Sequence, residues 1–399
     1  MVTTTIRRMP LVLYSLLPVL LVGACAHSRE RAVSASPPSA SPWALPTSTM
    51  RWNEYAGDLI ARNQVGQFPA ARTFAYTNLA INNAIVLARQ QDRKADGAAA
   101  GAAATVLVFL FPKDEQAITS RLAGETAAIG ADARPDFVAG VEIGRAAAGD
   151  VIAAAKADRA GAAWSGSVPT GPGKWASQLQ PPRPPLGPQL GGMRPFFMTT
   201  GAEFRPAAPP AYDSQLFKTA VAEVRFVSDK RTSEQLRIAQ YWENLSGAFA
   251  AGLWNEVARS AISARGLGEP ESARVLAMMH MAGVDAYIAC HDAKYTYWVP
   301  RPTQVDPGIR LAIGLPNHPS YPSNHACVSG AMGLVLDGQF PEQDGRYFAM
   351  GRQAGLSRIY AGIHYRFDVD DGYTIARKVS AKAIQTGIPV DRPFAPLGR

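Results

Sequence analysis

Lys294-Tyr295-Thr296-Tyr297-Trp298-Val299-Pro300-Arg301-Pro302, then Pro322-Ser323-Asn324-His325, then Ser357-Arg358, five residues, His364, three residues and Asp368 form the stretch around which this 399-residue chain is organised. Five of its six histidines fall between His280 and His364, and only His27 lies outside. Lys294, Arg301 and Arg358 are cations, with no carboxylate between the first two. Together with the Ser323 hydroxyl they can cradle a tetrahedral or trigonal oxyanion. The run after Pro322 has helical periodicity, so Ser323 reads as an N-cap. The first backbone N–H groups of that helix, backed by its dipole, then face the anion. His325 falls in the first turn, beside cations that oppose its protonation, which suits a general acid and base. His364 and Asp368 are four apart and share a face if a helix has begun at His364. The carboxylate can then orient the ring, and the pair reads as a nucleophile and its orienter.

These blocks resemble the three-part signature of the superfamily that joins type 2 phosphatidic acid phosphatases, bacterial non-specific acid phosphatases and vanadium-dependent haloperoxidases. That signature is Lys-x6-Arg-Pro, Pro-Ser-Gly-His and Ser-Arg-x5-His-x3-Asp. The chain departs from it at Asn324, where the family has glycine. Asparagine keeps the backbone donor and tolerates positive φ better than most residues. The resemblance implies that Lys294, Arg301 and Arg358 bind the equatorial oxygens, helped by Ser323 and the Asn324 backbone. It makes His325 the acid and base, and His364 the phosphohistidine nucleophile or, in a haloperoxidase, the vanadate ligand. One site serves both chemistries because five-coordinate vanadate has nearly the shape and charge of a phosphoryl group in flight. The first expectation is a metal-independent phosphate-ester hydrolase acting on a small phosphorylated substrate. The alternative is a vanadium-dependent haloperoxidase that consumes halide and peroxide. A third reading is a non-catalytic oxyanion-binding protein in which Asn324 marks decay.

The amino terminus reads separately. Arg7 and Arg8 precede a charge-free apolar run from Leu11 to Val22, which is short for a spanning helix and reads as an export signal over residues 1–24. Val22-Gly23-Ala24-Cys25 resembles a bacterial lipobox, which implies acylation at Cys25 and an exported, periplasmic or cell-envelope protein held at the membrane by its lipid. Residues 25–47, rich in Ser, Ala and Pro, read as a disordered tether. Removing residues 1–24 takes away Arg7 and Arg8 and no acid, so the formal charge falls from +8 to +6. That balance favours anionic substrates or surfaces. The basic residues are scattered and carry no binding motif, so no nucleic-acid partner is expected.

Beyond the tether the chain is alanine-rich and the periodicity is helical, so the fold class is all-α. Candidate helices cover 51–64, 70–91, 98–111, 113–128, 135–159, 215–228, 233–243, 253–265, 271–294, 324–338, 343–357 and 364–385. Thr232 and Gln235 form a capping box, and Gly266 is a helix stop. The apolar run 97–111 ends at Pro112-Lys113, which favours a buried core helix over a membrane span. Residues 161–213 hold many prolines and glycines without a period and read as a covering loop. It separates an N-terminal helical region, 48–160, from a C-terminal one, 214–388, which holds the site; residues 389–399 form a tail. The resemblance, which extends to the stretch from Arg231 to Trp242, implies two joined helical bundles.

Within 271–294, Leu276, His280, Gly283, Tyr287, Cys290 and Lys294 recur at alternating intervals of four and three, which places the lysine on the inward stripe. Ala326, Gly330 and Gly333 offer a small-residue stripe for close packing. His280 and His291 read as core or boundary histidines and His318 as a turn histidine. The cysteines lack zinc-ligand spacing. Cys290 is one turn before Lys294 and Cys327 two residues after His325, so their sulfurs approach if both helices face one pocket.

Overall fold

The structure is a computed structural model that describes residues 47–243 and 249–398. The export signal, Cys25 and nearly all of the tether lie outside the described residues. Among those described, every regular element is helical. The front of the chain supplies α1 (Ser48–Arg62), α2 (Gln67–Gln90), α3 (Ala95–Leu110), α4 (Glu115–Ala128) and α5 (Arg134–Lys156). The rear supplies α6 (Gln215–Lys230), α7 (Ser233–Tyr241), α8 (Phe249–Arg265), α9 (Glu269–Tyr297), α10 (Pro302–Val305), α11 (Asn324–Gln339), α12 (Arg346–Tyr360) and α13 (Arg366–Thr386).

Small residues set the packing of both groups. In front, α3 lies so close to α5 that a Cβ at Gly101 would stand 2.3 Å from the Val141 carbonyl oxygen. Behind, α11 packs on α12 and α13 through its small-residue stripe, and a Cβ at Gly333 would meet the Tyr347 carbonyl at 2.5 Å. Helix α9 packs against α2 on one side and α11 on the other, so one continuous apolar core runs from Met50 to Phe394. That position explains why α9 is buried on all faces from Val275 to His291, not on one stripe alone. Helix α3 is buried between its neighbours, and no single helix among the described residues is long and apolar enough to cross a membrane.

The helix starts differ from the sequence expectation where prolines intervene. Pro69 and Pro270 lie inside the first turns of α2 and α9, where no N–H is required, so both helices begin before them. Helix α10, only four residues long, is too short to show a period. The Thr232–Gln235 capping box is formed, and Gly266 closes α8 with φ +64°.

Between Lys156 and Gln215 the only regular element is a single turn of 3-10 helix, Leu190–Gly192. This segment runs along α9 and is fastened to it by Asp285. The buried carboxylate accepts the backbone N–H groups of Phe196 and Phe197 at 2.7 Å each and that of Met198 at 3.2 Å. Further along, the Tyr295 hydroxyl donates to the Leu186 carbonyl, and Gly187 approaches His291.

Candidate active site

The ends of α9 and α12 and the starts of α10, α11 and α13 bring the motif together. Lys294 is in the last turn of α9, which Trp298 ends in the left-handed region at φ +56°. The Lys294 side chain points inward, as its stripe position predicts, and is fully buried. It donates to the carbonyls of Pro319 (3.0 Å), Ser320 (2.8 Å) and Pro322, all in the turn before α11. Three carbonyls take up all three ammonium hydrogens. In this arrangement Lys294 clamps the turn and contributes its charge. Burial lowers its pKa to about 8.

Arg301, also fully buried, is held through Nε to the His318 carbonyl at 2.9 Å and through one terminal nitrogen to the Ile363 carbonyl at 2.8 Å. The same nitrogen is 3.1 Å from His364 Nε2, and the other is 3.0 Å from His318 Nδ1. Thus His318, read from sequence as a turn residue, is a buried brace for Arg301. Arg358, at the end of α12, is oriented by Ser357 Oγ, the Ala239 carbonyl and Glu243, the last at 2.9 Å. These contacts leave one guanidinium hydrogen of Arg301 and two of Arg358 without a named partner.

His364 lies before α13, not inside it: the helix begins at Arg366, two residues later than a shared helical face requires. The pairing with Asp368 forms by another route. Asp368, in the first turn of α13, reaches back so that Oδ2 lies 2.8 Å from His364 Nδ1, while accepting from Ser320 Oγ at 2.5 Å and the Tyr365 N–H at 3.1 Å. Nδ1 therefore carries the hydrogen and Nε2 the lone pair, which faces Arg301. Burial, then Arg301 and Lys294, hold this imidazole well below its usual value, and burial raises Asp368 to about 6.

Ser323 occupies the N-cap position of α11, but its hydroxyl caps no backbone N–H and is a buried oxygen without a partner. Its own N–H donates to the Asp368 carbonyl at 2.9 Å. A Cβ at Gly372 would come within 2.6 Å of Ala326 Cβ, so the absence of a side chain there lets α13 reach this turn. Asn324 donates from its amide nitrogen to His291 Nε2 at 3.2 Å. His291, read as a packing residue, thus touches the motif, whereas His280 packs as expected, stacked on Phe74 and 3.0 Å from Asn255 Oδ1. His325 Nε2 is 3.0 Å from the Trp242 carbonyl, which can only accept, so Nδ1 holds the lone pair. Burial, then Arg358, keep His325 neutral.

Sequence reasoning missed Glu243. No periodicity marks a carboxylate just past a helix end as the partner of an arginine 115 residues away. It competes with any anion for Arg358. Glu243→Gln should keep a hydrogen bond and remove the charge, tightening inorganic phosphate binding by about 3- to 10-fold. Calorimetric titration checks this; unchanged or weaker binding would refute it.

Cys290 and Cys327 are buried free thiols in contact with each other, and Cys290 Sγ also approaches the Pro322 carbonyl at 3.5 Å. Denatured, unreduced protein with Cys25 blocked should therefore titrate two thiols; none would mean that the helices are bridged.

This arrangement of unspent donors around a lone pair on His364 suits a tetrahedral oxyanion bound at one imidazole with a second imidazole beside it. Comparisons with known proteins bear on the same residues and on the fold. The profile of the PAP2 superfamily matches residues 274–381, which contain every motif residue. A non-specific acid phosphatase of Providencia stuartii is 37% identical over 67 residues, 17% of this chain, and the match spans a quarter of that protein's length. The fold is similar to that of a bacterial vanadium-dependent iodoperoxidase, with TM-score 0.72 and 20% identity over 88% of this chain and 98% of the other. An apo-type bacterial vanadium-dependent chloroperoxidase gives TM-score 0.65 and 15% identity over 80% and 93%. The PAP2-superfamily match thus falls on residues 274–381, the region that builds the oxyanion cradle, in a helical frame similar to those of the bacterial vanadium-dependent haloperoxidases.

Proposed function

We propose that the protein hydrolyses a phosphate ester through a phosphohistidine on His364. The observation that carries this reading is the His364 ring: its Nδ1 hydrogen is committed to Asp368, which leaves the Nε2 lone pair of a buried, neutral ring facing Arg301 at 3.1 Å. Nε2 attacks phosphorus as the ester P–O bond breaks, and the leaving oxygen takes a proton from His325. Water, deprotonated by His325, then breaks the N–P bond, releasing phosphate and freeing His364. His325 is neutral beside Arg358, and a bound dianion would raise its affinity for the proton it must donate. Arg301, Arg358, Ser323 and the first N–H groups of α11 would stabilise the equatorial oxygens in the transition state.

The extended fold similarity to an iodoperoxidase favours a second reading, in which the same residues hold vanadate. The donor set fits: unpartnered Ser323 Oγ, the free guanidinium hydrogens and the His364 lone pair would hold its oxygens and its metal. Bound vanadate would supply the activation of peroxide toward halide. A paired assay of one purified sample separates the readings: hydrolysis of a chromogenic phosphate ester without vanadate, and bromide or iodide oxidation by peroxide with it. Ester hydrolysis alone supports the first, halide oxidation alone the second, and neither supports an oxyanion-binding protein.

We also propose that the protein is exported and anchored through acylated Cys25. Cys25→Ser should move it from the membrane to the soluble fraction, and an unmodified mature terminus by mass spectrometry would exclude the anchor.

A further inference from the structure

The Asn324 side chain is oriented by a chain of donors and acceptors that begins in the covering segment. His291 Nδ1 is 3.0 Å from the Gly187 carbonyl. A carbonyl only accepts, so Nδ1 carries the hydrogen and Nε2 the lone pair of a neutral ring. Burial and the neighbouring Lys294 keep it neutral. Gly187 has φ +71°, and a Cβ there would press on His291 Cε1 at 3.2 Å, so glycine allows the carbonyl to come this near. With Nε2 restricted to accepting, the Asn324 amide nitrogen must be the atom that faces it at 3.2 Å. The amide oxygen is thereby turned away from His291, and this Oδ1 is a buried atom without a partner. Asn324, only 6% exposed, lines one cleft with His325, whose other walls include Gln67 and Ala71 of α2 and Tyr287 of α9. The preceding residue, Ser323, supplies a second unpartnered buried oxygen.

We propose that Asn324 is a specificity-determining residue that selects a protonated oxyanion, its Oδ1 accepting the hydrogen bond of a P–OH or V–OH group. This rests on the oxyanion reading of the site. Ammonium, guanidinium and backbone N–H groups can only donate, and the imidazoles of His364 and His325 become donors once a bound dianion draws a proton onto them, so these groups serve any tetrahedral dianion alike. A carbonyl oxygen does not. Hydrogen phosphate and sulfate have the same charge and nearly the same size near pH 7.5, but only hydrogen phosphate brings a proton. A sulfate oxygen placed against Oδ1 leaves two acceptors facing each other out of water, which should cost about tenfold or more in affinity. Asp368 Oδ1 is also unpartnered, but that carboxylate belongs to the His364 pair through its other oxygen. His291 is a positioning residue, acting through the amide that it orients.

Calorimetric titration of inorganic phosphate and sulfate at pH 7.5 tests this on the full chain, Asn324→Ala and His291→Phe. The wild type should bind phosphate at least about tenfold tighter than sulfate. Asn324→Ala should bring that ratio toward one by weakening phosphate and relieving sulfate, with sulfate affinity retained or raised as proof that the cradle is folded. His291→Phe leaves the amide in place without its holder and should lower the ratio in the same direction, which a merely packing role would not do. If Asn324→Ala does not fold, the His291→Phe ratio decides. An unchanged ratio in the folded variants, or a wild type that does not discriminate, overturns the inference while leaving the oxyanion site standing. A wild type that binds neither anion overturns the oxyanion reading and this inference with it.

Discussion

Replacing His364 by alanine is expected to lower turnover by at least about 10⁴-fold in whichever chemistry the protein performs, because the ring supplies the bond to phosphorus or vanadium. The helical signal should survive: His364 stands in the turn before α13, and its removal leaves the Asp368 bonds to Ser320 and the Tyr365 N–H in place. His325→Ala should behave differently. Its ring contacts the Trp242 carbonyl at a cleft wall, and the positive groups of the cradle remain without it. Phosphate binding should stay within about threefold of wild type while turnover falls by about 10²- to 10⁴-fold. Steady-state kinetics with a chromogenic ester and calorimetric phosphate titration of both variants check the pair. His364→Ala turning over at the wild-type rate would remove it from the nucleophile's role. Loss of phosphate binding in His325→Ala would make that residue part of the cradle.

The second large effect is acid lability. His280, His291, His318 and His364 are buried, and burial lowers all four; His280 and His291 fall to about 3. In the unfolded chain these rings take up protons near pH 6.5. As pH falls below that value the unfolded state binds more protons than the fold, so stability is lost on acidification and is fully present above it. Each imidazole contributes about 1.4 kcal/mol per pH unit. Burial also raises Asp285 to about 7 and Asp368 to about 6, and pushes Glu269, Asp58, Asp370 and Asp371 upward; these carboxyls act in the opposite sense by protonating within the fold. The fully buried imidazoles carry the larger shifts, so stability should fall as the pH drops from about 6 to about 4. Urea unfolding at a series of pH values reads the slope directly. A flat or rising profile on acidification would mean that the buried imidazoles are not the controlling groups.

The helical class, most helix positions and the residues of the motif were legible from local information. Alanine-rich periodicity announces helices without tertiary help, and the Thr232–Gln235 box and Gly266 are short-range devices whose partners lie within a few residues. The three motif blocks likewise state residue types and spacings, and these are enough to indicate a cradle for an oxyanion. Chemical type and spacing do not reveal which hydrogen bonds each group has already spent. The fold assigns all three Lys294 hydrogens to carbonyls in the turn before α11 and gives Arg301 a brace in His318. It also pairs Arg358 with Glu243. Each of those contacts joins segments whose packing is set by α9 and α11, and nothing in the local sequence encodes that packing.

The His364–Asp368 pair shows the division most clearly. Spacing alone suggested one helical face, whereas the chain leaves the helix two residues later and the pair is restored because a first-turn carboxylate points back at the preceding turn. The orientation of Asn324 is further still from local control, since it depends on a carbonyl at Gly187, far away in a segment without regular structure. Residue chemistry and short-range periodicity determined the fold class and the site's inventory. Only the tertiary structure decided which donors remain free, which tautomers the histidines hold and which way an amide faces, because buried hydrogen bonds between distant segments settle those choices.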